Sequence, residues 1–356
     1  MLITDIRVLK PELLTAIMRA NDVLGEYEAV EKIRLAKKGE TNGTLFYHLA
    51  LQYKDYRTQR HAPDKVFLKL KNPADVAEDS IKREVDFYNK VLPAMLRKNK
   101  IEDLCLVPVY DAYFDDITGQ GHIILDDISA DYKPAREKHP PTQRHREQIF
   151  DALARIHAHW WEHPILENLA PVPTEDSLNT QLAARQEKYE AMQNFTGTKL
   201  MAARHKDILK QISTQIPPRR KERLINGQGI TINHHDLNPD NLLYFHRESR
   251  IVNWESWQID TATDDLAYLM ACFWPQHLRD FQEQTILRRY YDAVVRYGVT
   301  DYSWDDLQYD YRASIAHCIG FMLAGWSKDR HVRGYWQRAE LALDAFDKMG
   351  AVTIFE

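Results

Sequence analysis

The chain has 356 residues, 44% hydrophobic and 28% charged, which is the balance of a folded protein with room for one bilobal domain or two modest ones. Its net charge of -5 gives no global reason to bind nucleic acid, whose phosphates favour strongly basic chains. Cys105, Cys272 and Cys318 are too widely spaced for a metal-ligand pair and read as reduced, buried thiols. The first residues show no basic stretch leading into an apolar one, and no window approaches the roughly 20 apolar residues of a membrane span. A soluble, cytoplasmic protein is expected.

In chain order, a helix-like segment over Pro11–Leu24 gives way to strand patterns. The first strand candidate is Ala29–Leu35, followed by a polar turn, Lys37–Thr44, that contains two glycines. Leu45, Tyr47, Leu49 and Leu51 then alternate at period two, and Val66–Leu70 is a short apolar run carrying one lysine, Lys69. Ile81, Val85, Tyr88 and Leu92 line one face of a helix predicted from Asp75 to Leu96. Two more strands, Val107–Phe114 and His122–Leu125, flank the turn Asp115–Gly121. Beyond Ile128 the pattern is mostly helical and holds every tryptophan. Ile149, Leu153, Ile156 and Trp160 share one face, and Ser303–Trp326 and Tyr335–Met349 read as later helices. An island of short apolar runs and polar turns interrupts them from Gly229 to Glu255. The layout is α+β: a small strand-rich lobe, residues 1–128, and a larger helical one, residues 129–356. The basic run Arg219-Arg220-Lys221 reads as a solvated loop.

The chemistry is concentrated in His234-His235-Asp236-Leu237-Asn238-Pro239-Asp240-Asn241. Phosphoryl transfer needs an acceptor hydroxyl held in line with the leaving group and Mg²⁺ to offset phosphate charge. An aspartate that takes the hydroxyl proton and an asparagine five residues on that ligates Mg²⁺ supply both from one loop, and Asp236 and Asn241 have that spacing. Without context, the same eight residues are a polar turn of a common kind. Leu242–Phe245, the turn His246–Arg250 and Ile251-Val252 then form a hairpin pattern, and a second metal-holding residue belongs at its end. Asn253 occupies that place, followed by Trp254 and Glu255. Upstream, Lys69 in its apolar strand either points to solvent or contacts nucleotide phosphates, oriented by Glu84 on the next helix.

With these residues in order, the chain resembles the aminoglycoside phosphotransferase and choline kinase superfamily, and looks closest to its ecdysteroid-kinase-like branch and bacterial relatives. The resemblance rests on Arg83–Tyr88, Ile124–Ile128, Leu153–Ala158, the loop His234–Asn241 and Asp264–Ala267. It implies a bilobal protein-kinase-like fold and an ATP- and Mg²⁺-dependent kinase acting on a small-molecule alcohol. Asp236 is then the catalytic base, Asn241 and Asn253 are metal ligands, and Lys69 with Glu84 orients the phosphates. The main chain of Asp126 and Ile128 holds the adenine, and the turn with Gly39, Thr41 and Asn42 covers the phosphates. Asp265 braces the loop and His234 packs beneath it. Most family members carry Asp where this chain has Asn253, leaving three readings: a working kinase helped by an acid such as Glu255, a nucleotide-binding pseudokinase, or an introduced change. The short stretch from Glu255 to Asp264 leaves little room to dock a peptide, which ranks a protein kinase last. Trp254, Trp257, Trp274, Trp326, His277 and Asp280 are candidates to line the acceptor pocket.

Overall fold

Alternation at period two builds one antiparallel sheet from β1 (Val30–Thr41), β2 (Thr44–Tyr53), β3 (Lys65–Lys71), β4 (Val109–Asp115) and β5 (Gln120–Asp126), in the order β1-β2-β3-β5-β4. The structure is a computed structural model, described here for residues 1–41, 43–72, 80–135, 141–169, 176, 179–180, 203–328 and 333–356. It divides into two units, Met1–His145 with Leu242–Trp257, and Arg146–Asn241 with Gln258–Glu356.

In the first unit, one face of the sheet carries Leu49, Val66, Leu68, Leu70 and Ile124 into a core closed by Leu14 and Met18 of α1 (Pro11–Ala20). The opposite face carries two cross-strand rows, Gly39, Phe46, Lys69 and Ile123, then Lys37, His48, Phe67 and Leu125. The first strand runs further than its sequence pattern suggests. Gly39 and Thr41 lie within β1, and Thr41 pairs with Thr44. Gly43 takes φ 79°, a backbone conformation that glycine adopts without strain. Gly39 is needed for another reason: a Cβ there would meet the Phe46 ring at 2.3 Å. The predicted helix from Asp75 is described from Ser80 onward. It runs as α2 (Ser80–Asp86), a π turn (Phe87–Val91) and α3 (Leu92–Leu96). Pro93, which has no N–H to donate, sits just beyond the widened turn.

Two distant stretches complete this unit. β6 (Lys133–Pro134) pairs with β8 (Leu242–Phe245), which pairs in turn with β9 (Glu248–Ile251), and the Ile251 N–H donates to the Cys105 carbonyl at 2.7 Å. The Trp254 ring stacks on Phe87, centroids 4.1 Å apart.

The second unit is helical. α4 (Gln143–Trp160) buries Ile149, Leu153, Ile156 and Trp160, as their spacing predicts. The short α5 (Leu166–Leu169) precedes α6 (Ala203–Asn226). β7 (Ile230–Asn233) pairs antiparallel with β10 (Gln258–Thr261), and the candidate loop leaves the end of β7. α7 (Thr263–Phe273) follows β10 and packs among α9 (Trp304–Lys328) and α10 (Arg333–Lys348); α8 (Gln276–Arg296) precedes them. The basic run at 219–221 is not a solvated loop. It belongs to α6, where Arg220 is buried against Asp260 and Asp264. Paired acids make that burial tolerable, and residue order alone does not reveal them.

Candidate active-site residues

In the first unit, the odd-numbered positions of β3 turn Lys69 away from the apolar core. Its Nζ donates to Glu84 Oε2 at 2.5 Å and to Asn253 Oδ1 at 2.9 Å. Glu84, one turn before Tyr88 on the helix that packs under the sheet, has a side chain only 1% exposed, so its charge relies on the lysine. The solvent-facing alternative for Lys69 is therefore not the one adopted. Asn253 ends the β8–β9 hairpin with φ 67° and ψ 62°, a left-handed conformation that asparagine tolerates better than most residues. Its Nδ2 donates to Glu255 Oε1 at 3.3 Å, which turns Oδ1 toward Lys69. The stack of Trp254 on Phe87 and a 2.6 Å hydrogen bond from Trp257 Nε1 to the Arg83 carbonyl fasten this segment to α2 and its π turn.

The other predicted residues of this unit have plainer surroundings. Gly39 and Thr41 lie in β1, and Asn42 lies outside the described residues. The Asp126 N–H donates to the Pro108 carbonyl, and the Ile128 carbonyl accepts from Asp131 and Tyr132. The Asp126 carboxyl is raised, first by burial and then by the charge of Asp127.

In the second unit, α7 holds the loop at two points one helical turn apart. Asp265, fully buried, accepts from the N–H groups of His234 (2.7 Å) and His235 (2.8 Å). Burial alone would raise its carboxyl; the His157 imidazole, 3.5 Å away, and the His234 N–H hold it below the usual value. His235 takes φ 64°, and this reversal brings Asp236 back toward the helix. Three donors converge on the Asp236 carboxylate: Asn238 Nδ2 at 2.9 Å and the Tyr268 hydroxyl at 3.1 Å on Oδ1, and Asn241 Nδ2 at 3.1 Å on Oδ2. Asn241 Nδ2 also donates to the Asp236 carbonyl at 2.8 Å. With its nitrogen so fixed, the amide oxygen of Asn241 takes no part in these bonds. The His234 side chain is fully buried and accepts from the Asp236 N–H at 3.2 Å. Tyr268 was not picked out by motif, although its spacing from Asp265 puts both on one helical face.

The residues expected to line an acceptor pocket fall differently. Trp254, Trp257 and Trp274 are core side chains, at most 6% exposed. His277 is exposed on α8, and Asp280 on the same helix is exposed and paired with Lys348 at 2.6 Å. The side chain of Trp326 lies outside the described residues. A small cavity lined in part by His235, Tyr268, His317 and Phe321 lies beside the loop instead. Among the described residues no cluster of three or more His, Cys, Asp or Glu side chains could hold a metal, and no helix is long and apolar enough to cross a membrane.

The ecdysteroid kinase-like family model matches residues 38–298. No curated protein matches this chain in sequence. A GDP complex of a mutant aminoglycoside 2'-phosphotransferase shares its fold, with a TM-score of 0.52 and 13% identity over 96% of this chain and 97% of that one. A spectinomycin phosphotransferase bound to ADP and spectinomycin gives a TM-score of 0.49 and 12% identity over 98% of both chains. A choline kinase from Streptococcus pneumoniae gives 0.44 and 17% over 95% of this chain and 99% of that one.

Proposed function

Because the chain belongs to the ecdysteroid kinase-like family of small-molecule phosphotransferases, we propose that it transfers the γ-phosphoryl group of ATP to a hydroxyl of a small-molecule acceptor. The observation that carries the reading is the convergence of Asn238, Tyr268 and Asn241 on the Asp236 carboxylate. A carboxylate fixed by three donors keeps one orientation, as a base must if it is to meet an acceptor hydroxyl. A nucleotide complex of an aminoglycoside phosphotransferase of the same fold supports a nucleotide as phosphoryl donor.

In this reading Asp236 takes the hydroxyl proton as the acceptor oxygen bonds to the γ-phosphorus. The bond from that phosphorus to the bridging oxygen breaks, leaving ADP and a phosphate ester. Lys69, fixed by Glu84, offers its ammonium to the phosphates. The main chain at Asp126 and Ile128 receives the base, and the β1–β2 hairpin with Gly39, Thr41 and Asn42 covers the phosphates. Residues 1–128 serve the nucleotide and 129–356 the catalytic base and acceptor.

Each of Asn241 and Asn253 offers an amide oxygen, a donor type that suits a hard cation, and Glu255, bonded to Asn253 Nδ2, carries the charge that an amide lacks. Mg²⁺, when bound, would offset charge on the phosphates.

The test pairs calorimetric titration of ATP, with and without Mg²⁺, with ADP formation across a panel of small alcohols. The Asp236→Ala variant should bind ATP within about twofold of the parent and lose about 10²–10⁴-fold in turnover. Full activity in that variant removes Asp236 from the role. Binding of ATP that ignores Mg²⁺, with no product from any alcohol, favours a protein that keeps the nucleotide as a ligand.

A further inference from the structure

The sheet face that carries Lys69 also carries a polar-aromatic group with no part in the chemistry above. In the row next to Lys69, β2 places His48 opposite Phe67 of β3, and Phe67 opposite Leu125 of β5. The rings of Phe46, His48 and Phe67 pack on one another with centroids 4.9–5.9 Å apart. All three are half-buried on the face turned away from the apolar core. His48 Nδ1 lies 2.8 Å from Asp127 Oδ2 and 3.1 Å from Ser129 Oγ. The Asp127 side chain is only 2% exposed, and its other oxygen accepts from the Ser129 N–H at 3.0 Å. Burial alone would raise that carboxyl, but hydrogen bonds from Ser129 and His48 hold it below the usual value.

A carboxylate can only accept, so the imidazole proton facing it sits on Nδ1. In the neutral ring this leaves Nε2 as an acceptor, and among the described residues Nε2 has no partner. This is not a hydrolytic triad, since the serine and the aspartate share one ring nitrogen.

We propose that His48 is a specificity-determining residue that selects adenine by accepting a hydrogen bond at Nε2 from the 6-amino group, with Phe67 beneath the ring. The inference rests on the reading that a nucleotide places its phosphates at Lys69. A base attached to those phosphates and reaching the segment at Asp126–Ile128 crosses the adjoining row, which is that of His48, Phe67 and Leu125. Asp127 ties His48 to that same segment, and in this proposal His48 faces the 6-position of the base, where adenine carries an amino donor and guanine a carbonyl acceptor. An acceptor there favours the first and opposes the second, so selection operates both by attraction and by repulsion.

The experiment uses the full chain and calorimetry with three probes: ATP, purine riboside triphosphate (which lacks the 6-amino group) and inorganic tripolyphosphate. The parent should bind ATP about tenfold more tightly than purine riboside triphosphate, the worth of one hydrogen bond. His48→Leu should bind the two nucleotides equally while its affinity for tripolyphosphate stays unchanged, which also reports an intact fold. His48→Leu that keeps the parent's preference, or loses tripolyphosphate as much as ATP, overturns the proposal and leaves the kinase reading standing. A parent chain that binds neither nucleotide overturns both.

Discussion

At position 253 a neutral amide, not a carboxylate, meets Lys69. Its Oδ1 takes the ammonium hydrogen bond at 2.9 Å while Glu84 neutralises the same lysine at 2.5 Å. Aspartate would fit the same left-handed backbone, since it shares asparagine's tolerance of that region. Asn253→Asp should therefore fold normally and make ATP binding about tenfold more responsive to Mg²⁺, by adding a carboxylate ligand for a hard cation. Calorimetry with and without the metal reads this directly, and an unchanged response would show that Glu255 already supplies the charge. The contacts of Lys69 with Glu84 and of Asn241 with Asp236 were legible in the sequence because a motif brings its residues together at fixed spacing. Tyr268 and His48 were not, because a tyrosine on a buried helix and a histidine in a strand look ordinary until their partners are known.

Among the elements, α7 acts as a clamp, with Asp265 on the loop backbone and Tyr268 on the Asp236 carboxylate. Asp265→Asn leaves one buried N–H with a poor partner and should cost about 1–3 kcal/mol at neutral pH. The folded carboxyl lies below its ordinary value of 3.8, so it contributes stability that is complete above that value and is lost as pH falls through the folded one. The unfolding free energies of parent and variant, from urea melts at a series of pH values, should differ at pH 7 and converge as the pH drops below 3.8. A constant difference would mean that the charge of Asp265 does not matter. Strand identities were legible from period two: Leu45, Tyr47 and Leu49 do share the face toward α1. The length of β1 was not, because Lys37, Lys38 and Gly39 look like a turn although they pair with His48, Tyr47 and Phe46 of β2. Arg220 misleads in the same way, since its acids arrive from β10 and α7, far along the chain.

For the whole molecule, the α+β layout follows from the change in pattern near residue 128, but the first unit also recruits Leu242–Trp257, which no local pattern announces. That stretch gives β6 its partner strand, covers Phe87 with Trp254 and brings Asn253 to Lys69. Residues 1–145 expressed alone should lack a cooperative thermal transition, and joining residues 242–257 to them through a short flexible linker should restore one. Cooperative unfolding of residues 1–145 by themselves would show that the hairpin is an accessory. The same stitching has a consequence in time. On the ribosome the N-terminal sheet emerges early, but its last structural piece does not appear until Trp257 has been added. At about 5–20 residues per second the nascent first unit waits several seconds with Phe87 uncovered, and that interval is when a chaperone has most to shield.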